Sequence, residues 1–289
     1  NDDDVLLVSL AEKLLVPALA KLSNFIPDGG IWMNTQRPEW NDANNALVGY
    51  GISAVTLYQL RRYLAFLTPL FTQAPDDEVA ISEEVVDLIA ALRDAFERFA
   101  GMSGEPLTDE ERKRVVDALG EAGSAYRKTI YTHGLSGTTR MVTYANALAL
   151  VEQAQTFVDR TIEANRRDDD LYHSYNLLSV KGDEIEVNHL YPMLEGQVSI
   201  LASGVLSPEA SLDVLEALRA SSLYRADQHS YTLYPDRTLP SFLEKNVIPS
   251  EAVAESTLLQ QLIAAGDRHL VVQDVQGDAH FNGAFRNKQ

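Results

Sequence analysis

The chain has 289 residues, 45% of them hydrophobic and 23% charged, which allows a substantial buried core and excludes global disorder. Lys and Arg number 24 against 42 Asp and Glu, a net charge of −18, so phosphate backbones and anionic lipid surfaces are repelled while a neutral sugar is not. There is no cysteine, which excludes disulfides and thiolate metal sites.

The first long apolar stretch, residues 5–22, is interrupted by Glu12, Lys13 and Lys21. It is too polar for a membrane span and lacks the basic start and cleavage signature of a signal peptide. It reads as an inner helix, kinked or restarted at Pro17. The expectation is a cytoplasmic protein with no nucleic-acid or membrane partner. The chain begins at Asn1 and ends in Phe285-Arg286-Asn287-Lys288-Gln289, and it reads as a fragment that associates with the remaining parts of its parent polypeptide; self-association into a homo-oligomer is left open.

A polar loop over residues 23–45 holds both tryptophans, Trp32 and Trp40. Residues 46–67 follow as a long helix, closed by Thr68-Pro69 and Pro75. Ser82-Glu83-Glu84 opens another helix with acids in its first turn, and Thr108-Asp109-Glu110-Glu111 is a capping box. Periodicity predicts a helix over residues 139–165. Ser207-Pro208-Glu209 and Ser250-Glu251 begin two more, the second ending before Gly266. Strand-like pieces are short: residues 185–187, 230–233 and 270–275. The expected fold class is all-α, with a few short strands in loops, and residues 1–289 as a single helical domain.

The segment Glu39-Trp40-Asn41-Asp42-Ala43-Asn44 stands just before an apolar helix. A carboxyl group beside an indole is partly desolvated and stays protonated more readily, so Asp42 could donate to a glycosidic oxygen while the Trp40 ring stacks on a sugar. The plainer reading is a helix N-cap, with Asp42 or Asn44 accepting backbone N–H groups. Trp40-Asn41-Asp42 with Asn44 resembles the segment of the cellobiose phosphorylase family that carries its general acid. Glu39 stands where that family has Asp, and Ala43 where it has Gly. Further along, Gln197, Ser203 and Gly204 are similar in type and spacing to a second family stretch, although Ser199 replaces its Trp. Gly277-Asp278-Ala279-His280-Phe281 is similar to a segment whose His contacts phosphate.

The resemblance implies an incomplete (α/α)₆ toroid, a portion of a larger catalytic domain. It also implies cleavage of a disaccharide or oligosaccharide with inversion, Asp42 as acid and inorganic phosphate as co-substrate. Trp40, Asn41, Asn44 and Gln197 would then bind sugar, and Ser203, Gly204, His280 and the nearby Arg286 would bind phosphate. No cofactor is implied.

Two aromatic-polar clusters have the composition of a carbohydrate cleft, since rings stack on C–H faces and amides bond hydroxyls. The first supplies Tyr172, His173, Tyr175 and Asn176, the second Arg225, Asp227 and Gln228. Glu195 sits in an apolar run over residues 191–201, where an unpaired carboxylate is costly. It is either paired structurally or a catalytic base. An inverting hydrolase needs such a base, Glu195 or Glu39, with its carboxyls about 6.5–9.5 Å apart; a phosphorylase needs none. Asp168-Asp169-Asp170 reads as a solvated charge run, and the scattered histidines give no metal pattern. A non-catalytic sugar-binding or scaffold module remains the alternative from outside the enzymes.

Overall fold

In the computed structural model, residues 6–34, 47–102 and 107–284 are described. Two compact units emerge, Asn1–Pro235 and Asp236–Gln289. The chain is 52% helix and 17% strand, with a curled five-stranded antiparallel sheet. The all-α class and the toroid read from the sequence are therefore corrected to a mixed α/β architecture.

The first unit runs α1 (Leu10–Leu22), β1 (Phe25–Ile26), β2 (Gly30–Trp32), β3 (Gly51–Ser53), α2 (Ala54–Thr72), β4 (Glu78–Ser82), α3 (Glu83–Phe99), α4 (Asp109–His133), β5 (Thr139–Thr143) and α5 (Tyr144–Ala164). It continues with β6 (Tyr175–Lys181), β7 (Glu184–His189), α6 (Leu194–Ala202), α7 (Pro208–Ala220), β8 (Tyr224–Arg225) and β9 (Ser230–Tyr231). The five strands of the large sheet lie in the order β1-β2-β3-β6-β7, and β4 pairs with β5 in a separate ribbon. In the second unit α8 (Phe242–Lys245), α9 (Ser250–Glu255) and α10 (Thr257–Ala264) accompany a small sheet of β10 (Val247–Ile248), β12 (Ala279–Phe281) and β11 (Val271–Gln273).

Caps set the helix starts. Ser9, Ser53, Thr143 and Ser207 each accept a backbone N–H from the first turn with a side-chain oxygen, satisfying donors that the helix itself leaves orphaned. Thr108 and Glu111 complete the reciprocal box at the start of α4. α1 runs unbroken through Pro17, and α2 continues past Thr68 to Thr72 with Pro69 inside it.

Where the predicted helices shortened, strand pairing is the cause. Residues 51–53 become β3 because Gly51, Ile52 and Ser53 pair with Leu177, Asn176 and Tyr175. Residues 139–143 become β5 by pairing with the equally β-prone β4, Glu78 against Thr143 through Ser82 against Thr139. Side-chain period alone cannot report a partner so distant in sequence.

The main core is helical. α2 packs along α5 and α3 along α4. Leu57, Leu64 and Leu67 of α2 join Leu88, Leu92 and Phe96 of α3, Leu119 of α4, and Ala154 and Val158 of α5. The Phe96 and Phe157 rings lie 5.0 Å apart, tilted at 50°. Ile26, Ile52 and Ile185 fill a smaller core within the sheet. Among the described residues, no helix is long and apolar enough to cross a membrane.

One buried guanidinium joins the helical layer to the sheet. Arg112 of α4 donates from Nε to Pro27 O (3.1 Å) and from Nη1 to Ile185 O (2.7 Å) and Asp109 Oδ1. Its Nη2 donates to Asp28 Oδ2 (3.1 Å) and Leu107 O (3.1 Å). The β1–β2 turn, α4 and β7 are thereby fixed together. Asp28 sits at φ 61°, a conformation tolerated by Asp and Asn better than by most residues, and its carboxylate also accepts Leu107 N–H at 3.2 Å.

Replacing Arg112 with Met keeps much of the aliphatic stem and strands the Asp28 carboxylate. The expected loss is about 3–5 kcal/mol of stability, read by chemical denaturation. A loss below about 1 kcal/mol would mean that the guanidinium does not hold the turn.

Candidate functional site

A buried assembly of polar side chains is built by the connection from α5 to β6, residues 165–176. Its outer part is a tight turn: Arg167 N–H donates to Leu171 O (2.8 Å), and Asp170 adopts φ 58°. Arg166 pairs with Asp170, and Arg167 forks its Nε and Nη2 onto the two carboxylate oxygens of Asp169. Two of the three carboxylates in the acidic run, Asp169 and Asp170, are thus ion-paired within the turn, and Asp168 is exposed.

Inside it, Asn176 is a hub. Its Nδ2 donates to Gly29 O and to Asn165 Oδ1, each at 2.8 Å, and its Oδ1 faces His189 Nδ1 at 2.8 Å. With both amide hydrogens committed to oxygens, the Asn176 oxygen takes its proton from His189, which fixes that ring's tautomer. Asn165 Nδ2 in turn donates to Asp28 O and Thr161 O. Asn165 and Asn176 are fully buried, so every one of these bonds offsets a desolvation cost.

His189 stacks on His173, ring centroids 3.9 Å apart and planes at 7°. Burial, then the neighbouring His189, then Arg167 push His173 down to about 4. His189 is also lowered, by burial and then Arg167. Both rings are therefore neutral near pH 7. The buried His173 Nδ1 has no hydrogen-bond partner.

The flanking residues are clamped. Gln197, wholly buried, accepts Tyr172 N–H and donates to Tyr172 O and Met193 O. Tyr58 donates its hydroxyl to His173 O at 2.7 Å. Ser174 O receives Ala54 N–H and Val55 N–H at the start of α2, while its hydroxyl donates to Met193 O and receives Gly196 N–H. A Cβ on Gly196 would lie 2.3 Å from that hydroxyl oxygen, so α6 approaches this closely only because residue 196 is glycine. Tyr175 donates its hydroxyl to Glu195 Oε2.

The structure thus brings Tyr172, His173, Tyr175, Asn176, Glu195 and Gln197 together. It does so inside the protein, as a joint between α2, α5, α6 and the sheet. Ser203 and Gly204 lie elsewhere, at the C-terminal end of α6. The Ser203 hydroxyl donates to Ile200 O at 2.6 Å, and the two carbonyls accept from Arg61, which is paired with Asp159 at 3.0 Å.

Arg225 forks onto Asp227 on the β8–β9 hairpin, with exposed Gln228 between them and β9. His280 belongs to the second unit, its Nε2 3.1 Å from Asp274 Oδ2 and its buried Nδ1 unpartnered. Asp274 is held below the usual carboxylate range, chiefly by that His280 contact and also by the Gln276 and Asp278 N–H groups. Glu39, Trp40, Asn41, Asp42, Asn44 and Arg286 lie outside the described residues. Among the described residues no three His, Asp or Glu side chains are gathered as metal ligands.

Sequence reasoning passed over Asp28, Arg112, Asn165 and His189. Arg112 had a signal: it shares the apolar stripe of Val115 and Leu119, where a charged residue must find buried partners. Asp28 lies in Pro27-Asp28-Gly29-Gly30, a turn signature. Asn165 and His189 carry no local signal.

Residues 239–289 match a family described as GH149 phosphorylase insertion domain 2. The matched segment nearly coincides with the second compact unit. No curated protein matches the chain. The match supports a glycoside phosphorylase-like protein and reaches neither the cellobiose phosphorylase family in particular nor a catalytic residue.

The paired histidines give a pH dependence of fixed sign. Their folded pKa values lie below the unfolded value of about 6.5, so the unfolded chain binds more protons between about pH 4 and 6.5. Their contribution to stability is complete above that window and is lost as pH falls through it. In parallel melts, wild type is expected to lose more stability than His173→Phe between pH 7 and pH 4.5. Parallel losses in the two proteins would remove the pair as the cause.

Proposed function

We propose that this chain is an accessory part of a glycoside phosphorylase-like protein, a rigid module that supports glycan cleavage by phosphate. The observation that carries this reading is the match of residues 239–289 to a phosphorylase insertion domain. The polar joint of the first unit favours a supporting role. Gln197, Asn176 and Asn165 spend their side-chain groups on neighbouring protein groups, whereas a catalytic centre needs groups aimed at a ligand.

A second reading places the chemistry within the chain, and the likeness of Trp40-Asn41-Asp42 to a phosphorylase acid segment favours it. Asp42 then protonates the leaving oxygen of a disaccharide or oligosaccharide, Trp40 and Asn41 hold the sugar, and inorganic phosphate attacks the anomeric carbon. Breaking the glycosidic C–O bond and forming a C–O bond to phosphate yields a sugar 1-phosphate and needs no protein base. In that scheme Glu195 stays a partner of Tyr175; in a hydrolase Glu195 or Glu39 would activate water instead. Ser203 and Gly204 are weaker phosphate contacts, because the hydroxyl is already committed and the carbonyls are acceptors.

The test incubates the full-length protein with β-linked glucose disaccharides and oligosaccharides, with and without phosphate, following sugar 1-phosphate by phosphorus NMR. Phosphate-dependent sugar 1-phosphate is expected, with Asp42→Asn and Glu195→Gln within about twofold of wild type. Free sugar formed without phosphate would overturn the phosphorylase assignment. A loss of about 10²–10⁴-fold in Asp42→Asn with sugar affinity retained would overturn the accessory role and select the second reading.

A further inference from the structure

The outward side of α1 and α2 carries a long apolar groove. Two hollows, of about 490 Å³ and about 740 Å³, meet at Phe66, which lines both. Leu10, Leu14 and Leu70 line the first, Pro17, Lys21, Arg62 and Tyr63 the second. Phe66 is 53% exposed, and its ring lies 6.2 Å from that of Tyr63. Tyr63 donates its hydroxyl to Leu14 O at 2.8 Å, which pins α2 to α1 and keeps the floor rigid. The 19 residues of α2 extend about 28 Å, room for a partner helix of four turns.

The charges around this groove run against those of the whole chain. Among 42 Asp and Glu residues, none falls within α2, and α1 contains only Glu12. Glu12 is buried, with its Oε2 accepting Ser82 N–H at 2.8 Å. Arg61 is spent on Asp159. Among the described residues lining the two hollows, Lys21 and Arg62 are charged and no carboxylate occurs. Both cations are exposed, and both line the larger hollow.

We propose that this groove docks an acidic amphipathic helix of a partner protein. The helix lays apolar residues at i, i+3 or i+4, and i+7 onto Leu10, Phe66 and Leu70, with carboxylates facing Lys21 and Arg62. The net charge of −18 opposes such a partner at long range. At physiological salt, with a screening length of about 8 Å, the two contacting cations decide, so a basic helix loses the contact. A second copy of this chain meets cation against cation in a two-fold arrangement, which disfavours it as the occupant.

The test uses the full chain and a fluorescein-labelled 18-residue helical peptide with Leu on one face and Glu on the other. The same peptide with Lys for Glu is the comparison, and binding is followed by fluorescence anisotropy. The Glu peptide is expected to bind at least tenfold more tightly than the Lys peptide and to weaken as NaCl rises. Phe66→Glu should weaken it tenfold or more, and the double variant Lys21→Glu with Arg62→Glu should reverse the preference. Because all three side chains are on the surface, the variants should melt with wild type. If Phe66→Glu does not fold, the charge-reversed pair alone decides. No saturable binding, equal affinity for the two peptides, or an unreversed preference would overturn the proposal. So would a dimer in light scattering that Phe66→Glu dissolves, which would assign the face to a second copy.

Discussion

Arg112 carries a full charge into the interior, and the fold is arranged to meet it. A guanidinium presents five donors in a rigid plane. Here they reach three carbonyl oxygens and two carboxylates drawn from α4 and the residue before its cap, Leu107, from the β1–β2 turn and from β7. Removing a charge from water costs several kcal/mol unless every partner is in place, so these contacts constrain geometry more than they add stability. The turn at Asp28 then has one position. Its N–H and C=O bond Thr161 and Asn165 of the α5 end, and Asn165 passes the constraint to Asn176 and His189. A continuous polar seam therefore runs between the helical layer and the sheet.

That seam explains why residues typical of a sugar cleft end up away from solvent. Tyr172, His173, Tyr175 and Asn176 have the ring faces and amides that carbohydrates use, and a wet cleft and a buried joint draw on the same chemistry. What separates them is the identity of the partners. Tyr172 is held through both its backbone groups by Gln197, and Asn176 holds Gly29, Asn165 and His189. The second unit, with its own small core of Ile248, Val271 and Ala279, carries the relationship to phosphorylase insertion domains.

The local signals in the sequence translated well. Thr108 and Ser207 sit at helix starts as read, since a short side chain with an acceptor oxygen satisfies an orphan N–H wherever it occurs. Ser53 and Thr143 cap helices as well, but inside the spans 46–67 and 139–165 that read as helix throughout. The Thr108 and Glu111 box and the helix after Ser207-Pro208 follow directly from spacing. The β6–β7 hairpin was also within reach, because Lys181-Gly182-Asp183-Glu184 has Gly182 at φ 61°, a turn that glycine adopts without cost. β4, β5 and β3 were not. Their partners lie tens to more than a hundred residues away, and a short apolar run reads equally as helix or strand until its partner is known.

The sequence by itself determined where the helices after Ser82, Thr108 and Ser207 and the one at Ser250 begin, that the chain is strongly acidic and cysteine-free, and that rings and amides cluster over residues 171–176. It also placed Arg112 on an apolar stripe, which required buried partners without naming them. The tertiary structure decided the fold class, because the sheet exists only where β3 meets β6 across more than a hundred residues. It likewise decided that Glu195 faces Tyr175 and that the two stacked histidines stay neutral. The physical reason is one of range. Capping, turns and side-chain period act over four residues or fewer, while burial, charge pairing and pKa depend on whatever the folded chain brings alongside.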